Sequence, residues 1–174
     1  MTDVHTLHLM FQHNDWANRR VRDLLAGLDN TVMGDDAKGT VGSIEQTVKH
    51  LVGVEEVYLS RIQGKDPFAS GSREDYFAHN LEWFWQRALD VARDYAGLLV
   101  GADEQLLEQP LAIPWIAVPL TVREGLIQVL THSAQHRAQI LSTLGEQGRK
   151  VPDMDFVVMR LEQQAQESGQ AAKA

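Results

Sequence analysis

Two imidazoles stand four residues apart in the stretch LTHSAQHRAQI, at His132 and His136. On an α-helix, positions i and i+4 lie one above the other, so both rings can be directed at one common atom. Val122, Leu126 and Val129 lead into the pair at helical spacing, and Ile140 and Leu144 continue from it. The pair therefore sits within an apolar stripe that should face a helix-packed interior. Buried neutral imidazoles need hydrogen-bond partners or a shared cation. Imidazole suits zinc, nickel, copper and iron.

A chelate of two is rarely enough. His50, in EQTVKHLVG, is the best third ligand, because Thr47, Val54 and Val57 lie on its side at helical spacing and give it an inward-facing neighbourhood. Three histidines with one open position form the pattern of a catalytic zinc-type site. Two plainer readings stand beside it: a chance pair on a solvated helix face, and a buried set satisfied by hydrogen bonds. His5, His8 and His79 read as solvated. His13, one turn before Trp16, reads as a core-edge ring or a cavity wall.

Neighbouring residues narrow the chemistry. A His-Glu-x-x-His protease needs glutamate directly after the first histidine, where this chain has Ser133. Ferritin-like di-iron sites need Glu-x-x-His, but Thr47, Val129 and Ser133 stand three residues before the histidines. No Walker-type phosphate loop and no nucleophile elbow occurs. Glu55, Glu56, Asp15 and Gln46 are candidate outer partners of the site. None has the spacing of a general base, so the catalytic residue stays unassigned.

The elements that must position these rings follow from periodicity and punctuation. A first helix is expected from about Asp3 to Leu28, with Leu9, Trp16, Leu24 and Leu28 on one face and Met10, Ala17, Val21 and Leu25 beside them. After the polar loop DNTVMGDDAKGTVG, Ser43 and Gln46 form a capping box for a second helix that Gly64 and Pro67 end. A third helix starts after Ser72 and runs as one element, with Phe77, Leu81, Phe84, Ala88, Val91, Tyr95 and Leu98 as its seam. Pro110, Pro114 and Pro119 exclude a helix from EQPLAIPWIAVPL, which suits an irregular segment or one hairpin. Thr121 and Glu124 cap a fourth helix that ends at Gly148, and a short helix follows Pro152. The expectation is an all-α four-helix bundle over residues 1–164, with 165–174 as a frayed tail.

Composition bounds the rest. The chain has 174 residues, with sixteen Lys and Arg against twenty-four Asp and Glu, a net charge of −8. Scattered basic residues in an acidic protein argue against nucleic acid as a partner. No apolar run reaches the ~20 residues of a membrane span. Cysteine is absent, which removes disulfides and thiolate ligands. The first residues lack the pattern of an export signal, so the cytoplasm is the expected location.

Three blocks, MFQHNDWANRRVRDLL, SIEQTVKHLVGVEEVYLSRI and LTHSAQHRAQILSTLGEQG, resemble in order and spacing those of the DinB-like family, also called the DinB/YfiT-like metalloenzymes. The His-x-x-x-His-Arg block with an upstream His is the most specific part, and Trp16 to Asn18 supports it. His13 departs from the family by replacing an aromatic residue often found one turn before that Trp. The resemblance implies a bundle in up-down-down-up order, usually a homodimer. It also implies a divalent metal, zinc or nickel, held by three histidines that map onto His50, His132 and His136. Characterised relatives include thiol-dependent transferases, so the implied function is a metal-dependent enzyme that activates a water or a low-molecular-weight thiol. That enzyme would be a thiol S-transferase or a hydrolase of a small-molecule substrate. The alternative is a non-enzymatic metal-binding stress-response module.

Two further expectations follow. Trp83 and Trp85 cannot both join Phe84 on one inward stripe, so one is left for a partner surface. The cavity at the metal should lie near one end of the bundle, between the first helix around His13 and Trp16 and the segment IPWIAVPL.

Overall fold

The computed structural model describes residues 3–36, 42–69 and 71–171. Four long helices carry the fold: α1 (Asp3–Leu25), α3 (Ile44–Ile62), α5 (Leu81–Val100) and α7 (Val122–Glu146). Between them lie short α2 (Asn30–Gly34), α4 (Arg73–Ala78) and α6 (Glu104–Leu107). Strands β1 (Pro110–Leu111) and β2 (Leu120–Thr121) precede α7, and α8 (Phe156–Ala171) follows it. The expected capping boxes are present at Ser43/Gln46 and Thr121/Glu124. β1 and β2 pair antiparallel, Pro110 opposite Thr121, so the proline-rich segment is indeed one small hairpin.

Side-chain contacts fix the order of the four helices. Phe11 of α1 packs on Tyr95 of α5 at 4.4 Å, while Asn18 and Arg22 lie beside Trp85 and Ala88; these two helices are antiparallel. Asp3 pairs with Arg123, and Asn14 and Asn18 with Arg137, so α1 and α7 are parallel. Gly125 faces Tyr58 and Ser133 faces Glu55, so α3 and α7 are antiparallel. Lys49 lies over Phe84, and Tyr95 reaches Glu55, so α3 and α5 run the same way. The bundle is up-down-down-up. α1 and α3 each pack on both α5 and α7, so α1 stands diagonal to α3 and α5 diagonal to α7.

Two expectations are corrected. The third helix is two helices: His79 leaves helical conformation and Asn80 caps α5 through Trp83 N. The short α4 then folds onto α3, where Glu56 accepts from Tyr76 Oη at 2.7 Å and from Arg87 of α5. The inward stripe of α1 is Leu7, Phe11, Asn14, Ala17, Asn18, Val21 and Leu25. The stripe drawn through Leu9 and Trp16 is displaced because two inward positions are asparagines, which apolar periodicity cannot register. Both tryptophans are also used internally: Trp85 joins the core at 9% exposure, and Trp83 sits against His79, Tyr76 and Phe84. Trp85 is buried, whereas Trp83 stays half-buried.

The core forms two clusters. One gathers Leu7, Phe11, Tyr58, Tyr95, Leu99 and Leu126 toward the hairpin end. The other gathers Val21, Ile44, Val48, Phe84, Ile140 and Leu144 toward the opposite end. Polar side chains occupy the level between them. α8 continues through much of the segment expected to fray, reaching Ala171, although its residues 164–169 are exposed; the last three residues of that expected tail lie outside the described ones. No helix of the described residues is long and apolar enough to cross a membrane.

Candidate metal centre

α3 and α7 bring His50, His132 and His136 to one point. His132 Nε2 lies 3.1 Å from His50 Nε2 and 3.1 Å from His136 Nε2. One nitrogen from each ring falls within 4.8 Å of the others. Two imidazole nitrogens bound to one tetrahedral ion at ~2.0–2.1 Å would stand about 3.4 Å apart, so the donor set has the spacing of a shared cation.

Protonation favours the same reading. Burial is the main cause that lowers all three rings below the ordinary imidazole range. His50 falls to about 4, with the charges of His136 and Arg73 adding to burial. His132 falls to about 4, with His136 and His50 adding. For His136, a hydrogen bond to Gln139 opposes the effect of burial. At neutral pH all three are unprotonated bases. His136 Nδ1 meets Gln139 Oε1 at 2.8 Å. A neutral ring that donates there carries its proton on Nδ1 and presents a lone pair at Nε2, the tautomer a metal ligand requires. His132 Nδ1 is buried with no hydrogen-bond partner among the described residues. A set satisfied by hydrogen bonds alone is therefore a poor account of His132. Its Nε2 meets two other ring nitrogens with one proton or one lone pair to offer.

Directly beneath the histidines lies a buried polar network that the sequence reading did not assemble. Glu55, 2% exposed, accepts from Ser133 Oγ at 2.6 Å, from Asn14 Nδ2 at 2.7 Å and from Asn18 Nδ2 at 3.1 Å. The Oδ1 atoms of Asn14 and Asn18 in turn accept from Arg137 Nη1 at 2.6 and 2.7 Å. Two amides thus bridge a buried carboxylate and a buried guanidinium. Burial lowers Arg137, and the nearby Glu55 charge opposes that shift. The network joins α1, α3 and α7 and leaves each member hydrogen-bonded, the condition under which buried charges are tolerated. One signal was available: Asn14/Asn18 and Ser133/Arg137 repeat the four-residue spacing of the histidine pair.

The other candidates do different work. Glu56 holds α4 and α5, Asp15 pairs with Arg19, and Gln46 caps α3. His13 Nε2 contacts Met154 O at 2.7 Å and the ring stacks near Trp16, whose Nε1 donates to Glu162 of α8. His5 and His79 are exposed, and His8 is half-buried. The cavity beside the histidines has a volume of about 480 Å³ and opens over His50 between the start of α3 and α4, lined by Ser43, Gln46, Lys49, Arg73 and Phe77. It lies near one end of the bundle, but on a different wall from the expected one. His13 and Trp16 face α8, and IPWIAVPL lies at the opposite end with the hairpin.

The family described as the DinB family matches residues 1–168. The chain belongs to the DinB family. Among solved structures, this DinB-family chain is similar to YfiT from Bacillus subtilis, described as a probable metal-dependent hydrolase with an unusual four-helix bundle topology. The TM-score is 0.70 at 13% identity, over 86% of this chain and 91% of that one. It is also similar to a DinB-like protein, YjoA, from Bacillus subtilis, with a TM-score of 0.62 and 17% identity over 84% and 97% of the two chains. A DinB family member from Shewanella denitrificans gives 0.55 and 16%, over 88% of each. At these identities the likeness speaks for the fold. No curated protein matches the chain.

Proposed function

We propose that this DinB-family protein is a metal-dependent enzyme in which His50, His132 and His136 hold one divalent cation, zinc or nickel. The observation that carries the reading is the convergence of three neutral Nε2 atoms at 3.1 Å contacts, with Gln139 on the outer nitrogen of His136. A divalent ion bound by three neutral imidazoles keeps its full charge and acidifies a water or thiol in its remaining position. The protein's own residues supply the setting. Burial keeps the rings deprotonated, and Gln139 orients His136. The Glu55–Ser133 bond fixes the turn of α7 that carries both His132 and His136. The cavity over His50 admits a small molecule from solvent.

The reactions best suited to this arrangement are hydrolysis and transfer to a low-molecular-weight thiol; a chain without cysteine has to take its sulfur from outside. The similarity to YfiT, described as a probable metal-dependent hydrolase, supports the hydrolytic branch. Protein purified without an affinity tag, loaded with zinc or nickel, should turn over either an activated ester or amide, or a thiol with an electrophile. His132→Ala should abolish that turnover. A protein that retains its metal yet is silent across both screens would favour the non-enzymatic metal-binding module instead.

A further inference from the structure

We propose that the cavity over His50 selects an anion-bearing small molecule and that Arg73 is the residue that holds its carboxylate or equivalent acid group. This deepens the preceding proposal by naming a substrate class for the same site.

The protein carries a net charge of −8, so an unbiased surface would repel anions. The cavity wall departs from that background. Its charged lining residues are Lys49, Arg73 and Glu45, two cations against one carboxylate. The carboxylate is already engaged, since Glu45 pairs with Lys49 at 2.9 Å one turn along α3. Arg73 has no such partner. Among the described residues its guanidinium forms no ion pair; it lies over the Phe77 ring at 5.4 Å. Stacking on an aromatic face orients the guanidinium while leaving its N–H edge free. An exposed arginine left unpaired in an acid-rich chain, and facing the cavity that contains a candidate metal ligand, is the group an anion would meet.

The surrounding structure fixes Arg73 in place. It is the first residue of α4, whose cap is built by Ser72 and Asp75. α4 is held to α3 by Tyr76 donating to Glu56 and by Phe77 approaching Gly53, where an added Cβ would lie 2.9 Å from Phe77 Cζ. Lys49, half-buried and lying over Phe84 at 5.7 Å on the opposite wall, is compensated by Glu45, which leaves Arg73 as the uncompensated charge among the described lining residues. A molecule whose reactive end meets the three imidazoles would place its remote end between these two walls. Arginine suits a planar carboxylate because two parallel N–H groups can engage both oxygens.

The test compares three thiols of matched length that differ in charge: 3-mercaptopropionate, 2-mercaptoethanol and cysteamine. Each is titrated into cobalt-loaded protein and its dissociation constant is read from the thiolate-to-cobalt absorption band. The anionic thiol should bind about tenfold more tightly than the neutral one, as expected for one charge-assisted contact, and the cationic thiol most weakly. Arg73→Gln should bring the anionic thiol to the neutral value and leave the neutral thiol unchanged, with the circular dichroism spectrum retained. Equal affinities for the three thiols, or an Arg73→Gln variant with the wild-type order, would overturn the assignment. A parallel arm on metal-free protein separates this from failure of the metal reading. Glutarate, and not glutaramide, should shift the backbone amide resonances of Lys49, His50 and Arg73 in wild type and not in Arg73→Gln. If cobalt does not bind but glutarate gives this pattern, the anion site stands and the metal proposal falls. If neither dicarboxylate nor diamide shifts those resonances, the anion site is wrong whatever the metal does.

Discussion

Glu55 Oε1 accepts the Ser133 hydroxyl at 2.6 Å, and Ser133 is the residue directly after His132 on α7. One buried carboxylate on α3 therefore clamps the turn of α7 that carries two of the three imidazoles, while His50 projects from the same α3 little more than one turn away. The same carboxylate holds α1 through Asn14 and Asn18. Ligand placement and bundle assembly thus share one hydrogen-bonded centre.

Removing that centre should be costly. Glu55→Ala would leave Asn14, Asn18 and Ser133 without their common acceptor and Arg137 without the nearby opposite charge. Loss of one partner of a buried charged set costs ~3–5 kcal/mol. Ser133→Ala deletes a single hydroxyl and should cost on the order of 1 kcal/mol. Urea denaturation of the two variants checks the ranking. Equal midpoints for Glu55→Ala and wild type would show that the network contributes little.

The metal-free protein should lose stability in acid over a window set by the histidines. His50 and His132 titrate at about 4 in the folded protein, below the 6.5 of an ordinary imidazole, and His136 is lowered as well. The unfolded chain binds these protons first, so acid favours unfolding. The stability associated with the neutral rings is full above 6.5 and is lost as pH falls through that value toward 4. Replacing His50 and His132 together with Gln should flatten the dependence in this window. An unchanged slope in that double variant, measured by thermal melts at a series of pH values, would contradict the assignment.

The three blocks and their spacing made the site far more legible than its supports. His50, His132 and His136 stand on apolar stripes, and stripes survive in a single sequence as periodicity. Asn14, Asn18 and Arg137 also face inward, but polar residues carry no periodic signal that separates them from a solvated face; only their mutual contacts reveal them. The break at His79–Asn80 was hidden for a related reason. The apolar spacing of Phe77, Leu81 and Phe84 is continuous across it, so periodicity alone carries one helix through the Asn80 cap. The hairpin was visible because three prolines forbid a helix there.

Gly53 is where the helix scaffold meets the cavity wall, since Phe77 packs directly against it. Alanine there gains ~0.5–1 kcal/mol of helix preference over glycine. Its Cβ would also meet Phe77 Cζ at 2.9 Å, and overpacking costs ~1–3 kcal/mol where the neighbour cannot move. Phe77 Cζ is the far end of a half-buried side chain, so a small adjustment of the ring relieves the contact. Gly53→Ala should therefore change the melting temperature little while displacing the Phe77 ring, seen as amide chemical-shift changes concentrated in residues 73–78. Changes confined to α3 itself would contradict this.

Gln139 should matter to the metal more than to the fold. It meets His136 Nδ1 at 2.8 Å, and loss of such an outer partner typically costs 10–100-fold in metal affinity. Gln139→Ala should weaken zinc binding by roughly that factor with an unchanged helical spectrum. Undiminished zinc affinity in this variant would show that His136 does not depend on Gln139 for its tautomer.

The most direct test of the central claim is a calorimetric titration of metal-free, untagged protein with zinc and with nickel, run beside His132→Ala. One ion should bind per chain in wild type, with little proton release from the imidazoles at neutral pH because they are already neutral, and the variant should lose nearly all binding while keeping its helical content. Stoichiometric binding that persists in His132→Ala, or no binding by a folded wild-type chain, would contradict that claim.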